Sequence, residues 1–218
     1  MLRCVSTVAL ATGLAFGLPP SGARALETGR PLPAVSEMMH VGAEVQAPAA
    51  FQDFCRRTPQ ECAPDAVAAP RQPLTAQRWQ ELVEINDIVN QTVKPVSDQD
   101  LFGVVDYWTI AGKSGDCEDY ALTKQQMLRR RGWPMGSLLV TVLRDENGEG
   151  HAILTARTTR GDFVLDNRQA KIVAWNITPY QYIKRQSATD PRVWLALAPG
   201  LTPPRESTTV AALSGAKR

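Results

Sequence analysis

The sequence predicts an α+β fold, with N-terminal helices packed on an antiparallel sheet. Three observations lead there. Helical periodicity is confined to the first two-thirds of the chain, in 75–90 and 116–131. From Leu138 onward, short apolar runs are separated by turn residues. Helices and strands therefore follow one another in blocks and do not alternate as in a doubly wound parallel sheet. The 218 residues suffice for one compact domain with tails. Apolar residues make up 44% and charged residues 21%, as in ordinary globular proteins, and a scattered net charge of +2 excludes a nucleic-acid-binding surface. The one tight basic run, Arg129-Arg130-Arg131, complements the C-terminus of a helix.

The N-terminal 25 residues read as an export signal. Met1 to Arg3 is a basic start, Val5 to Leu18 an apolar stretch, Pro19-Pro20 a break, and Ala23-Arg24-Ala25 a small-x-small cleavage pattern. The stretch is shorter than the roughly 20 residues that span a bilayer. An uncleaved anchor is the alternative reading. Cleavage leaves a periplasmic protein with no membrane insertion and three cysteines, Cys55, Cys62 and Cys117. In an oxidising compartment Cys55 and Cys62, seven apart around a turn-prone loop, close a small disulfide. Cys117 is left over, and an odd thiol is either reactive or buried and inert.

Residues 26–73 read as an extended leader carrying the stapled loop, with one helical turn at most, and the domain proper as 74–198. Thr75 caps a helix whose apolar face carries Trp79, Leu82, Val83, Ile85 and Val89. Pro95 prevents its continuation, and a loop from Lys94 to Gly103 leaves Asp98 and Asp100 exposed. A second helix runs from Asp116 to Arg131, with Asp116 and Asp119 spaced as a cap pair and Gly132 and Pro134 ending it. Strands are expected at 138–143, 151–157, 163–166, 171–175 and 193–197, a turn at Asp145 to Gly148, and a short helix at 179–185. The segment 199–218 reads as a disordered tail.

The chemistry concentrates on three residues. A thiol attacks an acyl carbon as thiolate, and the first turn of a helix, with its free N–H groups and dipole, favours negative charge there. Cys117 occupies that position. A small buried apolar role under the helix is the competing explanation. His151 is the lone histidine of the expected core and starts a strand; a lone core histidine is by itself more often a packing residue. Asp166 ends the neighbouring strand. A four-residue loop from Thr158 to Gly161 pairs Arg157 with Asp162 and Ile153 with Asp166, which makes His151 and Asp166 diagonal neighbours on one face. A two-residue loop sets them opposite each other, and an odd loop sends them to opposite faces. Asp166 also suits a plain turn. Asp116, Glu118 and Asp119 crowd the thiol and raise its pKa, an obstacle that a hard cation such as Ca²⁺ resolves. The preference of helix starts for acids explains the same residues without a metal.

The segment Gly115-Asp116-Cys117-Glu118-Asp119-Tyr120-Ala121-Leu122 resembles the nucleophile motif of the bacterial transglutaminase-like cysteine proteinases. Gly150-His151-Ala152-Ile153-Leu154 and Gly161 to Asn167 resemble its histidine and aspartate segments, in the same order. Trp79 with Asn86 and Asn90, and Trp108 before Gly112-Lys113-Ser114-Gly115, fit as well. The resemblance covers about 51–197. It implies a papain-like, transglutaminase-type fold with Cys117 as nucleophile, His151 as base and acid, and Asp166 as orienter. It implies calcium held by Asp116, Glu118 and Asp119. It also implies a protein substrate in the cell envelope, a surface adhesin in some members, and an inner-membrane receptor as regulator. The Cys55–Cys62 pair and the leader lie outside that pattern. Amide transfer to an amine, or a non-catalytic binding module, are the other functions compatible with the fold. Trp108 is either a wall of the acyl site or a core aromatic.

Overall fold

A computed structural model describes residues 30–67 and 70–197. The expected export signal and C-terminal tail lie outside them. The elements are β1 (Val41–Val45), α1 (Ala49–Arg57), α2 (Ala76–Thr92), β2 (Lys94–Pro95), α3 (Asp98–Phe102), β3 (Ser114–Gly115), α4 (Cys117–Arg130), β4 (Leu138–Arg144), β5 (Gly150–Thr158), β6 (Gly161–Leu165), β7 (Val173–Ala174), β8 (Gln181–Gln186) and β9 (Trp194–Leu197). The main sheet is antiparallel, in the order β1-β9-β8-β4-β5-β6-β7. The mixed helix and antiparallel-sheet class is as the sequence predicts. Among the described residues no helix is long and apolar enough to cross a membrane.

Strand alternation divides the core. Leu138, Val140, Leu154, Ala156, Phe163 and Leu165 face one side and pack with Trp79, Leu82 and Ile85 of α2 and Ala121, Leu122 and Leu128 of α4. Their sequence neighbours Ile153 and Val164 face the other side with Leu143, Met39, Trp175 and Tyr182. Thr75 caps α2 by accepting from the Arg78 N–H. α4 ends in a Schellman motif: Gly132 takes φ 80°, its N–H donates to the Arg129 carbonyl, and the Trp133 N–H donates to that of Leu128.

The folded domain begins well before Leu74, contrary to the expected leader. β1 pairs with β9 at the sheet edge, and α1 buries Phe51 against Trp108 and Trp194, with Phe54 beside Phe51. The prolines that argue for a loop instead bound elements: Pro48 precedes α1, and Pro59 opens a 3-10 turn over Pro59–Cys62. Cys55 and Cys62 are bonded, with Cα atoms 5.5 Å apart, and staple that turn to α1. Upstream, Ser36 donates its N–H to the Arg160 carbonyl, and the Glu37 carbonyl accepts from the Asp162 N–H and the Trp175 indole. Gly161 has φ 120°, and a Cβ there would meet the Ser36 carbonyl oxygen at 2.8 Å, so glycine lets this strap lie on β6.

Two more expectations change. Residues 181–186 are strand β8, because Tyr180 and Tyr182 are buried while Gln181 and Ile183 point outward, a period of two that aromatic and β-branched residues favour. The loop 94–103 is partly ordered, since β2 pairs in parallel with β3 and Ser97 caps the short α3. Asp98, expected to be exposed, is 1% accessible. Between β5 and β6 the register is the expected Arg157↔Asp162, but the ladder continues to Thr158↔Gly161. The turn is therefore the two residues Thr159 and Arg160, and, contrary to the expectation that a two-residue loop sets His151 opposite Asp166, it keeps the Arg157↔Asp162 register and leaves the two as diagonal neighbours.

Candidate active site

The start of α4 and the start of β5 meet at a cleft of about 330 Å³ lined by Pro48, Asp106, Trp108, Cys117, Glu118, Val142, Gly150, His151, Ala152 and Lys184. Trp108 lines the cleft and also packs edge-on against Phe51 and Trp194, as a core aromatic does. Cys117, the free cysteine among the described residues, opens α4. Its sulfur faces the backbone N–H of Ala152, the residue after His151.

His151 is 2% exposed, and its Nε2 lies 2.9 Å from Asp166 Oδ1. Asp166 is held from every side. Oδ1 also accepts from the Arg168 N–H at 2.9 Å, Oδ2 from the Tyr180 hydroxyl at 2.6 Å, and its carbonyl from Asn90 Nδ2 at 2.8 Å. Tyr180 packs edge-on to the His151 ring, with centroids 6.0 Å apart. Arg168 pairs with Asp145 at 2.6 Å and ties the segment after Asp166 to the turn that precedes His151. Burial alone would raise the Asp166 pKa, but the hydrogen bond and charge of His151, then Tyr180 and the Arg168 N–H, outweigh it and hold the carboxyl below its usual value. An ionised Asp166 keeps the ring proton on Nε2. Nδ1 is then the basic nitrogen, and it is buried without a partner.

The carboxylates arrange themselves differently from the expected set. Asp98, Asp116 and Glu118 each bring an oxygen within 4.8 Å of the others. Asp119 is not part of this group: Oδ1 accepts from the Thr109 N–H at 2.8 Å, and its side chain lies against Gly115, where a Cβ would meet Oδ2 at 2.5 Å. The Asp116–Asp119 cap pair does not form, because Asp116 makes no side-chain cap bond and its Oδ2 accepts from the Asp98 N–H at 3.3 Å. Asp98 Oδ1 and Asp116 Oδ1 are buried and unpartnered. Burial, followed by the hydrogen bond and charge of Asp116, pushes Glu118 up to about 9. Burial, and then the charge of Glu118, raises the Cys117 thiol, which the Ala152 N–H only partly offsets. The thiol donates to Glu118 Oε2 at 3.3 Å.

Asp98 stands in the sequence as an exposed loop residue, and nothing in the sequence marks Tyr180 or Arg168 as part of the site. Ser97-x-x-Asp100 did carry a cap signal that marks Asp98 as the first residue of a helix. Tyr180 fell in the segment read as helix.

A thiol at a helix start and a histidine bound to a carboxylate, lining one cleft, are the parts that a thiol-dependent acyl-transfer enzyme needs. The chain belongs to the bacterial transglutaminase-like cysteine proteinases, whose family profile matches residues 41–201. It is a transglutaminase-like cysteine peptidase. Among solved structures, calcium-bound LapG from Legionella pneumophila is 26% identical, covers 56% of this chain and 71% of its own, and has a TM-score of 0.48. The EGTA-treated form of that protein is 26% identical, covers 54% and 67%, and has a TM-score of 0.46. None of the curated proteins matches the chain in sequence.

Proposed function

We propose that the protein is a periplasmic endopeptidase that cleaves a cell-envelope protein through a Cys117-His151-Asp166 triad. The observation that carries this is the orientation of His151. With Nε2 committed to Asp166, its unpartnered Nδ1 belongs to the cleft that also holds the Cys117 thiol. His151 Nδ1 takes the thiol proton as sulfur bonds to the scissile carbonyl carbon. Backbone N–H groups at the start of α4 face the oxygen that gains charge. The C–N bond breaks, His151 returns the proton to the leaving amine, and a thioester remains on Cys117. Water then attacks that thioester, giving up its proton to His151. The acid product leaves and the thiol is restored. Asp166 holds the imidazole in one tautomer and stabilises its charge throughout.

Asp98, Asp116 and Glu118 suit Ca²⁺, because they offer hard oxygens, two of them buried without any donor. A bound cation there supplies the positive charge that cancels the carboxylates holding the thiol protonated. On this reading a surface adhesin is the substrate to seek first, and an inner-membrane receptor the regulator.

The test is proteomics of the cell envelope from cells carrying the parent or the Cys117→Ala variant, read for new protein N-termini. Cleavage products that vanish with the variant are expected. Products that persist, from a variant with the parent's melting temperature, overturn the assignment. Incorporation of a labelled amine in place of hydrolysis assigns the same thioester to acyl transfer.

A further inference from the structure

Lys124 is wholly buried, and its Nζ has no hydrogen-bond partner among the described residues. An ammonium in that position is costly unless something nearby accepts its protons. The nearest aromatic face, Tyr120, is 6.0 Å away, at the limit of a cation–π contact. Burial pushes the lysine down to about 7, and Asp166 is the charge that favours its ammonium. The same region holds acceptors that lack donors: Asn86 Oδ1, Asn90 Oδ1 and Asn167 Oδ1 are all buried and unpartnered.

The helix geometry places these groups together. α2 and α4 pack on each other. At one end the Tyr120 hydroxyl donates to the Val93 carbonyl just beyond α2. At the other, Arg131 pairs with Glu84 at 2.8 Å. Lys124 lies one turn from Tyr120 toward Arg131, so it meets the stretch of α2 between Val93 and Glu84, where Asn90 and Asn86 sit one turn apart. These two asparagines already hold the segment after β6. Asn90 Nδ2 donates to the Asp166 carbonyl, and Asn86 Nδ2 to that of Ala170 at 3.4 Å.

We propose that Lys124 is a positioning residue for Asp166, its ammonium serving the buried acceptors of Asn86 and Asn90, directly or through an internal water, and so fixing the Asp166–Ala170 segment. The inference rests on the catalytic reading of Cys117, His151 and Asp166. A single polar cluster then joins the helix that carries the nucleophile to the carboxylate that orients the base. Lys124 touches no reacting atom.

The test is the rate of Cys117 alkylation by iodoacetamide as a function of pH, measured on the full exported chain with calcium supplied. Lys124→Met keeps the volume and removes the donors. It is expected to slow alkylation at neutral pH at least about tenfold, since an ångström of misplacement costs on the order of a hundredfold. Lys124→Gln, which keeps amide donors, should recover most of the rate. Adding Lys124→Met to Asp166→Asn should slow the reaction no further, because both act through one carboxylate. A Lys124→Met protein with the parent's rate and pH profile overturns the proposal. So does a loss that multiplies with that of Asp166→Asn. Asp166→Asn alkylating like the parent overturns the triad itself, and this inference with it. Should Lys124→Met not fold, Asn86→Leu removes one of its acceptors without touching a bond to Asp166: slowed alkylation supports the proposal and an unchanged profile overturns it.

Discussion

Asp98→Asn separates a cation site from a cluster of acids at a helix start by reversing sign with calcium. The oxygens of Asp98, Asp116 and Glu118 lie within 4.8 Å of one another. At an effective dielectric of about 20, each ionised pair at that separation repels by about 3.5 kcal/mol. Glu118, pushed up to about 9, is protonated at neutral pH, which leaves Asp98 against Asp116 as the principal pair. Asp98 also accepts the Tyr107 N–H, and exchanging its charge for an amide oxygen weakens that bond by about 1 kcal/mol. Without calcium the variant should therefore gain about 2 kcal/mol, or roughly 4–8 °C in melting temperature for a domain of this size. With calcium at about a hundred times its dissociation constant, the parent gains about 2.7 kcal/mol, and the variant, short of a ligand, gains little. The assay is a thermal melt of both proteins in EGTA and in excess calcium. The order of stability should invert between the two conditions. A variant that melts below its parent in EGTA refutes the electrostatic account. Calcium raising both proteins equally refutes these three residues as its ligands.

Two further outcomes follow from the fold. Replacing both Cys55 and Cys62 by Ala opens a small closed loop, and chain entropy sets the cost at about 2.5 kcal/mol; a lower urea midpoint is expected, and an unchanged one means the staple constrains nothing in the unfolded chain. The folded pKa of Asp166 is depressed, so its contribution to stability is complete above about pH 5 and is lost as the pH falls below the unfolded value near 3.9 and through the folded one. Urea unfolding across that window should show a shallower acid loss for Asp166→Asn than for the parent, and parallel curves would deny the linkage.

What the sequence made legible was periodic or chemically singular. The face of α2 follows from apolar spacing and the ends of α4 from its stop signals, while the β5–β6 register follows from the length given to the loop between the strands, and that register brings His151 to Asp166. Cys117 was singled out by elimination, because the other two cysteines of the described chain pair with each other. The misread parts are those in which local composition opposes tertiary context. α1 is a nine-residue helix among prolines, worth little alone, and it persists because Phe51 and Phe54 join the aromatic cluster of Trp108 and Trp194. β8 is a sheet interior between β4 and β9, a placement set by long-range pairing. Asp98 is 18 residues from Asp116, and the short β2–β3 pairing that brings them together leaves no periodic trace.

The active site joins two electrostatic demands that a single helix start cannot meet. The first turn of α4 presents N–H groups that favour a thiolate, yet Glu118 receives the thiol proton in a hydrogen bond and, with Asp116, holds it on the sulfur. His151 does not supply a countercharge by itself, because its Nε2 is already committed to the hydrogen bond with Asp166. Burial is the largest of the causes that hold the thiol proton on and the charge of Glu118 the next, and a cation at the acidic group, as proposed, relieves the second of them. On the proposed reading, the acids beside Cys117 are then a control on catalysis as well as a cation site. An enzyme stripped of cation should retain its fold, its disulfide and its His151–Asp166 pair while its thiol falls silent.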